Sequence, residues 1–130
     1  MRTIARLMMM CVVLMSAALA SAQQLTTRFM SVDDGEVVEA QTVFTIDTDK
    51  RTITVENTAT SRVRVLHIVK AREPVVNDNF EVTTFECTED INRVDFSQIR
   101  PKQPGKPLML ALTYKLGDVK MFQETYMTDW

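Results

Sequence analysis

His67 is the only histidine in the chain, and Cys87 is the only cysteine outside the N-terminal apolar run, which holds Cys11. A thiol attacks as its thiolate and an imidazole is a common acceptor of its proton, so Cys87 with His67 is the one nucleophile–base set on offer. Both side chains would have to share one face of facing strands. The surroundings speak against it. Glu86, Glu89 and Asp90 flank the thiol in "FECTEDINRV" and disfavour a thiolate. Cys87 shares strand parity with Phe85 and reads as a small buried hydrophobe, with intermolecular disulfide pairing as the alternative. His67, mid-strand in "VRVLHIVKA", reads as structural, and no third orienting group can be named. No catalytic residue is assigned.

Carboxylates gather at Asp33, Asp34 and Glu36, at Asp47 and Asp49, and at Glu89 and Asp90. Calcium favours oxygen-rich loops, but the segment from Asp47 lacks the glycine and terminal glutamate of a helix–loop–helix calcium site. Turn chemistry accounts for these acids, and no metal ligand is assigned. "RPKQPGKP" carries Arg100, Lys102 and Lys106 on a proline-stiffened loop and reads as a solvated connector, with contact to an anionic partner as the alternative. There is no phosphate-binding loop, dinucleotide glycine pattern, nucleophile elbow or zinc-ligand spacing, so no cofactor is expected.

The N-terminus carries an export pattern. Arg2 and Arg6 precede an unbroken apolar run over residues 7–15, and Ala20-Ser21-Ala22 offers a small-residue cleavage site. Residues 1–22 are therefore expected to leave as a signal peptide, with 23–130 as one mature domain in the periplasm or outside the cell. The run is too short for a membrane span. Bulky Met8, Met9 and Met10 argue against lipidation at Cys11. The net charge of −2 becomes more acidic once Arg2 and Arg6 are gone, which gives no electrostatic reason to bind nucleic acid.

The mature chain alternates apolar and polar residues with period two and is rich in Thr and Val, the pattern of half-buried strands. Strands are predicted over residues 27–32, 37–46, 51–56, 62–71, 80–87, 93–99, 108–115 and 119–127. Turns fall at Asp33-Asp34-Gly35, where the glycine is expected to take the left-handed conformation, at Asp47-Thr48-Asp49-Lys50, at residues 88–92 and at Leu116-Gly117-Asp118. Residues 73–79 read as a loop. The 62–71 strand, apolar on both faces at Val65, Leu66, Ile68 and Val69, is expected to be central. The fold class is all-β: a single-domain antiparallel meander of about eight strands, a small lipocalin-like barrel in preference to a sandwich. Its inward residues are expected to be Phe44, Ile46, Ile53, Val55, Leu66, Ile68, Phe85, Phe96, Leu108, Leu110, Leu112 and Phe122, which nearly fill a short barrel. Glu124 and Thr128 interrupt the apolar face of Phe122 and Tyr126, against an integral outer-membrane barrel.

"TVFTIDTDKRTITVEN", "FECTEDINRV" and "LMLALTYKLGDVKMFQETY" together resemble small exported all-β proteins of Bacteroidota, across most of the mature chain. That family has no assigned activity, so the resemblance implies fold and compartment only. Some of its members carry a second cysteine across the turn from the first. Here that stretch is Arg93-Val94-Asp95, so the resemblance implies that Cys87 is the survivor of a cross-hairpin disulfide.

The function expected from these residues is a monomeric exported binding module. Its ligand, a small molecule, peptide or glycan, would sit at an open end of the barrel near residues 57–61 or 77–79. The alternative is a structural or interaction protein that uses its outer face or a free edge on a protein partner. An enzyme is not expected.

Overall fold

A computed structural model describes residues 22–129, which form strands and turns without a helix. Residues 1–21 of the expected signal, Cys11 among them, and Trp130 lie outside the described residues. The strands are β1 (Ala22–Val32), β2 (Val38–Asp47), β3 (Thr52–Asn57), β4 (Arg62–Ala71), β5 (Val75–Val76), β6 (Phe80–Glu89), β7 (Asn92–Pro101), β8 (Met109–Leu116) and β9 (Val119–Met127). Sequence neighbours pair antiparallel from β1 to β4 and from β6 to β9. Two further pairings, β9 with β1 and β4 with β6, close the eight long strands into a barrel. Short β5 lies against the part of β6 that β4 does not reach.

Alternation positions the side chains. Thr42, Phe44 and Ile46 on β2 and Ile53 and Val55 on β3 are buried, while Thr45 and Thr54 between them are directly paired on the outer face. The turns follow local side-chain chemistry. Asp47 Oδ1 accepts from the Lys50 N–H at 3.1 Å, and Asn57 Oδ1 accepts from the N–H groups of Ala59 and Thr60 at 3.0 and 3.2 Å. The first hairpin differs from expectation. Asp33 and Asp34 take the positive φ values, 51° and 59°, and Gly35 does not. Gly35 is needed for room instead, because a Cβ there would sit 3.0 Å from the Val32 carbonyl oxygen.

Three further expectations are corrected. β1 begins earlier than residue 27, since Ala22 already pairs with Asp47. The 73–79 segment holds β5, and Asn77 Oδ1 caps the turn after it with two 2.8 Å bonds from the Asn79 and Phe80 N–H groups. Finally, β4 is central over only half its length. It meets β6 from His67↔Thr88 to Ala71↔Phe85, whereas residues 62–66 pair with β3 alone.

The barrel is filled by its own side chains. Phe44, Ile53, Leu66, Val94, Phe96, Leu110 and Leu112 are fully buried. Phe44 meets Tyr126 edge-on at 5.0 Å between ring centres and Phe96 at 5.8 Å, and Phe96 stacks on Phe85 at 6.4 Å. Ile68, Phe85 and Leu108 pack against this core from its margins. Phe122 has the expected inward parity but stands at a barrel mouth and is 38% exposed. Val94 and Tyr126, absent from the expected core, belong to it.

Candidate functional site

The filled middle leaves room at the two ends of the barrel and in outer recesses beside residues 70–74 and beside Asn79 and Phe80. The larger of the end recesses, about 480 Å³, opens at the end where β3 turns into β4 and is lined by Val55, Asn57, Arg62, Arg64, Glu89, Tyr114, Phe122, Glu124 and Tyr126, with Met30 and Thr42 beside them. Asn57 and Arg62 bracket the 57–61 connection, one of the two loops expected to border a ligand. A second recess of about 320 Å³ lies at the opposite end, among Gln23, Thr48, Glu81, Thr83, Gln98 and Arg100.

Five side chains make the floor of the larger recess, each from inward parity near a strand end. Arg64 grips Glu89 with both arms: Nη2 donates to Oε1 at 2.9 Å and Nε donates to Oε2 at 3.0 Å. Its Nη1 reaches Glu124 Oε1 at 3.5 Å, and it also donates to the Tyr114 hydroxyl while its guanidinium lies 5.2 Å from the centre of that ring. The phenols of Tyr114 and Tyr126 both donate to Glu124 Oε1, at 3.1 and 3.0 Å. Phe122 stacks on Tyr114 with ring centres 4.3 Å apart and presents its outer side at the mouth.

Burial opposes the charge on Arg64, but the hydrogen bond and charge of Glu89, with Glu124 and Tyr126 adding to it, raise its pKa above the usual value. Tyr126 is pushed well above the ordinary phenol range, first by burial and then by the negative charge of Glu124 and the hydrogen bond to it. Its hydroxyl therefore stays a neutral donor. The arrangement is a rigid, charge-balanced floor with an aromatic rim, suited to orienting a bound molecule. Removing one member should be felt: Arg64→Met is expected to cost about 1–2 kcal/mol, since the pair is part-buried and Glu89 and Glu124 are left facing each other. Arg64→Lys should recover little, because an ammonium cannot take both Glu89 oxygens. Urea unfolding measures both, and a loss under about 0.5 kcal/mol for Arg64→Met would show that the network is a surface decoration.

Of the residues singled out in the sequence, Glu89 belongs to this floor, while His67 and Cys87 lie elsewhere. His67 and Cys87 come from adjoining strands, but His67 pairs with Thr88 on the outer face, while Cys87 pairs with Ile68 and faces inward. The two do not meet. Cys87 is 2% exposed, and burial, assisted by the charge of Asp95, pushes its thiol up to about 12. Val94 lies directly across from Cys87, the position a cross-hairpin disulfide partner would occupy. Asp47, Asn57 and Asn77 are used in turns, and no metal-binding group of His, Cys, Asp and Glu occurs among the described residues.

The network itself escaped the sequence reading. In sequence Glu89 falls in a predicted turn, and Glu124 shows only as a break in an apolar face. The available signal was parity: Arg64 shares a face with Leu66 and Ile68, and Glu124 with Phe122 and Tyr126. Compared with family models, curated proteins and solved structures, this chain matches none.

Proposed function

We propose that this protein is an exported β-barrel binding module that holds a small polar, ring-bearing ligand, such as a sugar, in the recess over Arg64, Glu89, Tyr114, Glu124 and Tyr126. One observation carries the reading: the barrel interior is solid, yet the end where β3 turns into β4 keeps a recess of about 480 Å³, well above the ~300 Å³ lower range of ligand pockets, over an ordered charged floor. The outer side of Phe122, held against Tyr114, gives a ring something to stack on, and the charged floor offers donors and acceptors held in place by one another. Export rests on Arg2, Arg6, the apolar run and Ala20-Ser21-Ala22, with Gln23 as the mature N-terminus. Native mass spectrometry of the protein recovered from periplasm or medium tests both parts. The expected result is a chain starting at Gln23 with a small-molecule adduct that Phe122→Ala loses. A wild-type chain free of adduct, or an adduct that Phe122→Ala retains in full, would overturn the recess reading. A chain still carrying Met1 would overturn export.

A further inference from the structure

The notch beside β4 is a second feature, separate from the recess floor. β6 ends at Glu89 and the chain turns back through Asp90 and Ile91 into β7, so residues 62–65 of β4 run on past the end of their neighbour. Backbone hydrogen bonding alternates along such a strand. Ile68 donates to the Arg51 carbonyl at 2.9 Å on the β3 side, so Leu66, Arg64 and Arg62 also bond towards β3. The N–H and C=O groups of Val63 and Val65 point the other way, where no described strand pairs with them. Their side chains are on the outer face, 52% and 42% exposed, and Ile91 at the adjoining hairpin tip is 96% exposed. An exposed edge with apolar side chains is a template for a further strand.

We infer that this overhanging edge of β4 accepts an added antiparallel strand from a partner polypeptide that carries an acidic residue between two apolar ones. The added chain continues the line of β6. Its residues opposite Val63 and Val65 share the outer face and pack on them, which calls for β-branched or aromatic side chains. Its residue opposite Arg64 faces inward at the rim of the recess. There Arg62, which lines that rim, makes no side-chain ion pair or hydrogen bond among the described residues, so an acid is the complement. A second copy of this chain fits poorly. Antiparallel β4–β4 pairing about a two-fold axis at Arg64 sets Arg64 opposite Arg64 and brings no acid to Arg62, and like charges directly opposite are destabilising. The inference does not depend on the recess holding a small molecule.

The test uses the mature protein and the synthetic peptide acetyl-Thr-Val-Glu-Val-Thr-amide, with amide hydrogen exchange followed by NMR. In the free protein the Val63 and Val65 amides should exchange fast while those of Arg64 and Leu66 are protected. With peptide, protection of Val63 and Val65 should rise about tenfold or more. Val65→Pro removes only an N–H directed into the notch, so it should abolish peptide binding with the barrel still folded by circular dichroism. If that variant does not fold, the same peptide N-methylated at its edge-facing amides should lose binding instead. Arg62→Glu should reverse the preference between this peptide and its Lys-centred version. Three results would each overturn the inference: Val63 and Val65 amides already protected in the free monomer, protection that rises with protein concentration alone, or peptide-induced changes confined to other strands.

Discussion

Phe44→Ala is expected to remove about 3–5 kcal/mol of stability, the range for truncating a fully buried aromatic residue. The ring is completely enclosed and touches both Tyr126 and Phe96, so the loss combines transfer of the ring to water with a hole between two elements that meet across the barrel. Domains of this kind have about 5–15 kcal/mol in total. The variant should therefore unfold at far lower denaturant, with an unchanged slope. Phe122→Ala is the internal comparison: the same deletion at a 38% exposed ring should cost under about 1.5 kcal/mol. Similar costs at the two sites would mean that the barrel is not packed around Phe44.

Alkali should weaken the protein through Cys87. A folded thiol raised from 9.0 to about 12 keeps its proton in the folded state after the unfolded chain has lost it. The stability associated with the neutral thiol is fully present below pH 9 and disappears as pH rises through about 12, at about 1.4 kcal/mol per unit, or about 4 kcal/mol over the span. Cys87→Ala removes that titration and leaves the one at Tyr126, which shifts in the same direction. The wild type should thus lose more stability than Cys87→Ala between these pH values. Maleimide should label native Cys87 far more slowly than denatured Cys87. Parallel stability curves, or equal labelling rates, would show that the thiol is not enclosed by the barrel.

The all-β class and the barrel were legible because period-two alternation is local: Phe44 and Ile46 announce their face within one strand. The recess was less legible for a related reason. Arg64, Glu89 and Glu124 also point inward, but at strand ends, where the barrel interior gives way to solvent, and a charge in a strand reads as outward-facing until the register is known. Irregular pairings blurred the pattern further. Shifts between Thr27 and Phe29 on β1, and between Lys120 and Phe122 on β9, change which residues face in. The β4–β6 seam was the hardest part to foresee. No local rule says where β6 stops alongside β4, and the free edge exists only because it stops at Glu89.

The pairing of β9 with β1 has a consequence in time. Tyr126 meets Met30 and Met127 meets Phe29 across nearly the whole length of the folded chain. Each hairpin can form as soon as its own residues are available, but the ring cannot shut until the last strand exists. A chain made or threaded from its N-terminus therefore passes through an open, curled sheet with two bare edges, and its final closing step carries the slow search that distant contacts impose. Truncation before β9 would hold the molecule in that open form, with one edge of β1 and one edge of β8 left unpaired and ready to pair with whatever strand is nearest.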